Sequence, residues 1–238
     1  MQSRNRVVVP RHPDFSVSVE YIGNENQPVL LVDQFLNHAD TLVEYAEQHS
    51  QFKPANTGYP GIRDSAPIAY LDSFYVHLAD LIYDTFNLKP GEIVSAKADF
   101  SMVVTPPEKL LPQQQIPHFD SAKPNELAAV HYLCGPEKGG TSFYRHRSTG
   151  FESVDRERLP EYKRRLQPEL QQISSRQSTY MNGSTEEFEC IENISAEFNR
   201  LIVYRCTNLH SGDIAPDFAF DPNPASGRLT INTFLYSS

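Results

Sequence analysis

The sequence predicts a mainly β protein, a barrel or sandwich of short antiparallel strands with helices packed on one outer face. Three observations predict it. After about residue 95 the chain becomes a series of short β-like runs separated by turns: "SAKADFSMVVTP", "ELAAVHYLCG", "GGTSFYRH", "FECIENISA", "NRLIVYRC" and "RLTINTFLY". Before that point, two segments carry the helical period instead. The last run also alternates, with Arg228, Thr230, Asn232 and Phe234 on one face and Leu229, Ile231, Thr233 and Leu235 on the other. The second face is apolar enough to lie against helices, whereas the first carries a strand arginine whose charge must find a partner.

Taken in order, "VEYIGNENQPVLLVDQFL" reads as two short strands around the polar turn "NENQP". "NHADTLVEYAEQHSQF" places apolar residues at Leu42, Val43, Tyr45 and Ala46, an amphipathic helix that Asn37 or Asp40 could cap. The Pro- and Gly-rich "KPANTGYPGIRDSAP" reads as a loop, and "LDSFYVHLADLIYDTFNL" as a second helix. Residues 1–95 are therefore expected to support a β core at 96–238 within one structural unit. The charged, helix-prone stretch at about 155–175, "DRERLPEYKRRLQPELQQ", reads as a surface insertion, either a lid, a dimer contact or a solvated helix.

Composition excludes several classes. With 238 residues, 39% hydrophobic and 21% charged, the chain is a folded globular protein rather than a disordered one. A net charge of −9 and no basic tract longer than "YKRRLQ" argue against nucleic acid. Neither a signal sequence nor a membrane-length apolar run is expected. Cys134, Cys190 and Cys206 are odd in number and widely spaced, which suggests reduced thiols and a cytoplasmic location.

The chemistry concentrates in "PHFD". On an extended backbone, His118 and Asp120 project to one side, a bidentate clamp for a divalent metal. His210, 92 positions later and directly after the apolar run "RLIVY", supplies a third donor. Two imidazoles and one carboxylate on one face of an iron leave coordination positions open for oxygen chemistry. Further along, Arg228 and Thr230 lie two apart on one strand, an arginine and a hydroxyl suited to holding a carboxylate. A metal beside a carboxylate anchor implies a keto-acid cosubstrate.

The ordered set "MVVTP", "HFD", "VHYLCGPEKGGTSFY", "NRLIVY", "LHSGD" and "RLTINTF", running from about Ala96 to the C-terminus, resembles the Fe(II)/2-oxoglutarate-dependent dioxygenases, particularly their prolyl-hydroxylase-like branch. The resemblance implies a double-stranded β-helix (jelly roll) and an oxygenase using Fe(II), 2-oxoglutarate and O2, with ascorbate a candidate reductant. It implies His118, Asp120 and His210 as catalytic iron ligands. Arg228 would then hold the distal carboxylate of 2-oxoglutarate, assisted by Tyr132 and Thr230. Thr105 stands where many prolyl hydroxylases have a tyrosine, and is a further candidate for contact with the cosubstrate. The Pro-rich filler between His210 and Arg228 keeps Arg200 and Arg205 open as alternative anchors. The carboxylate at Asp120 favours hydroxylation over halogenation.

The expected activity is hydroxylation of a small-molecule, amino-acid or peptidyl substrate, releasing succinate and CO2. No nucleic-acid or membrane partner is expected, and a homodimer is left open. The alternatives are a non-catalytic jelly roll binding a metal or ligand, and a cupin-like enzyme with another metal and no keto acid. His131, opposite Tyr132 on its strand, is expected in the core. His146 reads as a solvated turn or a substrate contact, and Arg145 and Arg147 as a charged strand end.

Overall fold

The computed structural model describes residues 6–55 and 58–238. Its elements are β1 (Ser16–Ile22), β2 (Gln27–Asp33), α1 (Asp40–His49), β3 (Lys53–Pro54), β4 (Gly61–Ser65), α2 (Ile68–Phe86), β5 (Ile93–Val103), β6 (Leu127–Tyr132), β7 (Gly140–His146), α3 (Leu159–Ile173), β8 (Phe188–Ser195), β9 (Leu201–Arg205), β10 (His210–Asp213) and β11 (Leu229–Ser237). Eight strands form one sheet in the order β1-β2-β9-β6-β11-β5-β4-β3, and three form a second in the order β10-β7-β8. Their pairings are antiparallel throughout. An isolated bridge from His118 to His210 extends the small sheet by a fourth position. Two four-position sheets, β9-β6-β11-β5 against His118-β10-β7-β8, make this a double-stranded β-helix, with β1–β4 widening the large sheet.

The alternation in β11 decides how the layers stack. Leu229, Ile231 and Leu235 join Phe100, Met102, Leu127, Ala129, Leu201 and Val203 in a core under Phe74, Leu78, Ile82 and Phe86 of α2. The opposite face of the same strands contributes Val130, Tyr132, Ile202 and Tyr204 to a second core against Phe143 and Ile194 of the small sheet. The site lies along that inner face. Gly139 and Gly140 let neighbouring strands of the small sheet approach closely: Gly139 has φ +87°, and a Cβ on Gly140 would stand 2.1 Å from the Ile194 carbonyl oxygen of β8.

Four expectations need correction. The α1 N-terminus uses neither Asn37 nor Asp40: Ala39 is the cap residue, without a side-chain bond. The segment read as a Pro- and Gly-rich loop contains edge strands β3 and β4, and β4 pairs with β5 from Gly61↔Val103 to Ser65↔Asp99. Turn-forming residues dominate that stretch, so the pairing, a tertiary event, outweighs local propensity. The 155–175 insertion is not solvated on all sides, because Tyr162 and Ile173 of α3 are buried with Ile116, Tyr144, Met181, Phe188 and Leu209. His146 is not a solvated turn residue. It is fully buried, its Nε2 lies 2.6 Å from Glu169 on α3, and Tyr162 and Phe188 pack around its ring.

His131 lies in the core as expected, fully buried and stacked on Tyr70. Its Nε2 meets the Asn199 side-chain oxygen at 3.1 Å, which leaves Nδ1 buried without a partner. Asn199 has positive φ and also bonds both the N–H and the carbonyl of Leu36, tying the end of β2 to β6. Burial lowers the His131 pKa to about 4, because a proton on Nδ1 would be a buried donor with nowhere to go. The unfolded chain therefore takes up a proton near pH 6.5 that the folded chain refuses until about pH 4. Stability carried by neutral His131 is complete above this window and lost as pH falls through it, by up to ~3 kcal/mol. His131→Gln keeps a donor for Asn199 without titrating. Urea unfolding from pH 7 to 4 is expected to show a shallower acid slope in the variant, and equal slopes would refute the assignment.

Candidate metal centre and cosubstrate pocket

His118 and Asp120 lie on the short extended segment that leads to β6, and His210 opens β10. The main chains of His118 and His210 exchange both hydrogen bonds, at 2.9 and 2.8 Å. Asp120 N–H donates to the Cys206 carbonyl at 2.8 Å, fixing the other end of the motif. Alternation does the rest. His118 and Asp120 face His210, while Phe119 points the other way onto Tyr162 of α3, with ring centroids 6.0 Å apart. The insertion thus braces the motif from behind.

The donor atoms of His118, Asp120 and His210 lie within 4.8 Å of one another. Nε2 of His118 is 3.7 Å from one Asp120 oxygen, and Nε2 of His210 is 3.5 Å from the other. His210 Nδ1 donates to the Asn208 carbonyl at 2.9 Å. A carbonyl can only accept, so the proton sits on Nδ1 and the Nε2 lone pair is left for a metal. Crowding within the mouth, and then the neighbouring His210, lowers the His118 pKa to about 4. Although 55% of the side-chain surface of His118 is open to the mouth, the His210 contact persists whatever the solvation, with ring centroids only 4.4 Å apart. Two nitrogen donors and a carboxylate, converging with the correct tautomer at His210, fit a divalent first-row ion. Phe119→Ala removes the brace and is expected to weaken metal binding roughly tenfold. Titration with Mn(II), followed by electron paramagnetic resonance, would read this, and an unchanged affinity would exclude the brace.

Deeper in the barrel lies Arg228, at the start of β11 and 4% exposed. Its Nη2 donates to the Gly140 carbonyl at 2.8 Å, and its Nε is buried with no acceptor. Tyr132, fully buried, donates to the Thr141 hydroxyl at 2.7 Å, and its ring centroid is 6.0 Å from the guanidinium carbon. Burial, opposed by the Arg228 charge, pushes the Tyr132 pKa up to about 12, so the phenol remains a donor. Thr230 Oγ1 sits within 2.9 Å of Asn232 Oδ1 and 3.3 Å of the Ser101 carbonyl. The structure thus gathers Arg228, Tyr132 and Thr230 on one face. The Thr105 side chain makes no hydrogen bond to these three; its carbonyl accepts from the Tyr180 hydroxyl at 2.6 Å. Arg200 and Arg205 lie elsewhere. Arg200 pairs with Asp33 at 2.6 Å, and Arg205 donates to the carbonyls of Pro124 and Phe86.

Sequence reasoning missed Tyr59, Tyr180 and Arg63. Tyr59 and Tyr180 flank Arg228 closely enough to feel its charge. Both come from segments without strand periodicity. Tyr180 stacks on Phe220 with centroids 5.6 Å apart, so the Pro-rich filler after His210 folds back against the pocket. The only advance signal was the density of aromatics near prolines. Arg145, by contrast, is committed elsewhere, to Glu152 and Glu189.

A family model matches residues 13–235, nearly the whole described fold. The chain belongs to a family of unknown function, DUF6445. No curated protein matches it in sequence. Among solved structures, this DUF6445 chain is similar in fold to SnoK, a non-heme alpha-ketoglutarate-dependent carbocyclase from nogalamycin biosynthesis. The TM-score is 0.51 at 11% identity, covering 89% of this chain and 80% of that one. The epimerase SnoN of the same biosynthesis has a TM-score of 0.49 at 12% identity, covering 90% of this chain and 79% of that one. A Pseudomonas putida prolyl-4-hydroxylase has 0.45 at 12% identity, over 90% and 95% of the two chains. At these identities the likeness is one of fold, and it rests on SnoK.

Proposed function

We propose that this protein is an Fe(II)- and 2-oxoglutarate-dependent oxygenase of the hydroxylating type, acting on a small-molecule, amino-acid or peptidyl substrate with release of succinate and CO2. One observation carries the reading. A three-donor site of two imidazoles and a carboxylate shares the inner face of the barrel with a buried arginine that has an unpartnered Nε. A purely structural barrel gains nothing from that pairing, since burying an incompletely bonded guanidinium costs stability.

His118, Asp120 and His210 would hold the iron, and the bound iron would activate O2, the oxidant, with the keto acid as the co-reductant that becomes succinate and CO2. The chain's own residues bind and orient. Arg228 offers the distal carboxylate of 2-oxoglutarate a charge-assisted hydrogen bond inside a water-poor barrel, where such a bond is strongest. Tyr132 keeps its phenolic proton and Thr230 its hydroxyl; each would turn from its present acceptor, Thr141 for Tyr132 and Ser101 or Asn232 for Thr230, to donate to the same anion. Asp120 occupies the carboxylate position, which favours hydroxylation over halogenation. Among the described residues no helix is long and apolar enough to cross a membrane.

The test is anaerobic titration of the metal-free protein with Fe(II) and then 2-oxoglutarate, followed by the weak visible charge-transfer band of a chelated keto acid. Wild type is expected to give the band. Arg228→Ala is expected to weaken 2-oxoglutarate binding roughly thirtyfold or more, since it removes one partner of a buried charged pair. Iron binding without a band would defeat the oxygenase reading in favour of a binding protein.

A further inference from the structure

The inner face carries a second arginine that the oxygenase reading does not use. Arg63 on β4 is paired with Ser101 of β5, which is paired with Thr230 of β11, which is paired with Tyr132 of β6. Directly paired residues on neighbouring strands point to the same side of a sheet. Arg63 therefore shares the inner face with Thr230 and Tyr132, towards the edge of the large sheet.

Its charge has no counter-ion. Among the described residues the Arg63 side chain makes no hydrogen bond or ion pair, and its Nε is buried without an acceptor. The guanidinium lies 4.1 Å over the Tyr59 ring, a contact that uses its flat face and leaves the in-plane N–H donors free. Nearby carboxylates are occupied: Asp99 by Lys97 at 2.6 Å, and Asp64 by the Gln51 N–H at 2.7 Å. Arg63 is half-buried, and its row of paired residues runs through Ser101 and Thr230 to Tyr132, so it stands on the barrel's inner face rather than on a remote surface.

Charge balance points the same way. In the loaded site, the two carboxylates of 2-oxoglutarate and that of Asp120 would be matched by Fe(II) and Arg228. Arg63 is then a surplus cation on the same inner face, in a chain with a net charge of −9. Leaving its buried Nε unpaired is costly unless a ligand completes it.

We propose that Arg63 binds a carboxylate of the primary substrate, so that the substrate is an organic acid, held by Arg63 while Arg228 holds the cosubstrate. This deepens the oxygenase reading and rests on it. The arginine fork binds both oxygens of a carboxylate and fixes its plane, which would aim the adjoining carbon skeleton at the metal face.

The test uses Mn(II)-loaded protein with saturating 2-oxoglutarate under nitrogen, so that no turnover occurs. A panel of N-acetyl amino acids, each as the free acid and as the primary amide, is titrated by ligand-observed NMR. Free acids are expected to bind at least about tenfold more tightly than their amides. Arg63→Gln is expected to abolish that preference while leaving 2-oxoglutarate affinity within about twofold, and Arg63→Lys to restore part of it. Equal binding of acids and amides across the panel overturns the proposal. So does an Arg63→Gln loss of 2-oxoglutarate affinity matching that of Arg228→Ala, which would place Arg63 in the cosubstrate pocket. Failure of wild type to bind 2-oxoglutarate at all defeats the oxygenase reading itself, and this proposal with it.

Discussion

His210→Ala is expected to lower Fe(II) affinity on the order of a hundredfold or more, with little loss of fold. His210 is one of three donors, and losing its nitrogen should cost more than the roughly 10–100-fold typical of a partner that merely orients a ligand. Its main chain, however, makes the two bonds to His118 that extend the small sheet, and alanine keeps both. The removed ring packs against Tyr204 and Phe143, at centroid distances of 4.7 and 6.4 Å. A modest cavity cost of ~1–2 kcal/mol is therefore expected beside the lost affinity. Equilibrium dialysis with Fe(II) under nitrogen, alongside thermal unfolding, separates the two effects. Affinity within a factor of three of wild type would mean that the imidazole is not a ligand.

The largest effect on stability is expected at a residue outside the candidate metal site. Glu152, 3% exposed, accepts hydrogen bonds from the main-chain N–H groups of Asn24 and Glu25 at 2.9 and 2.8 Å, and from Arg145 Nε at 2.8 Å. It thereby joins the β1–β2 turn to the small sheet. The contact is so close that a Cβ on Gly23 would stand 2.2 Å from the carboxylate. Glu152→Ala leaves two N–H groups without their acceptor and removes one of the two carboxylates paired with Arg145. The expected loss is about 3–5 kcal/mol, or roughly 10 °C in Tm for a domain of this size. Glu152→Gln keeps an acceptor for part of the set and should fall between. A drop of less than about 3 °C in the alanine variant would show that Glu189, which also pairs with Arg145, carries the junction alone.

Comparing sequence with structure element by element shows where local information ends. The strand β11 was legible because alternation is a local property: one face needs apolar contacts and the other cannot have them. The donors His118 and Asp120 were legible for the same reason, two residues apart on extended chain. β4 was not. Its five residues "GIRDS" carry a glycine, two charges and no apolar alternation, and only the exposed edge of β5 makes them a strand. Arg63 was hidden with it, and so was the reading of the substrate as an acid. His146 was misjudged because its partner Glu169 lies on an insertion whose amphipathic face is concealed in a sequence rich in charge.

By itself the sequence determined the mainly β architecture, the two helices before the barrel, the core position of His131, and the residue types of a candidate metal site beside a strand arginine. Periodicity and short-range spacing encode all of these. Only the tertiary structure decided which distant residues meet: that Arg228 faces the interior while Arg200 and Arg205 do not, that α3 braces Phe119, and that Tyr59, Tyr180 and Arg63 line the same barrel. The reason is physical. Such contacts depend on strand order and on edge pairing between segments far apart in the chain, and those follow from burying the whole apolar surface at once rather than from any local stretch.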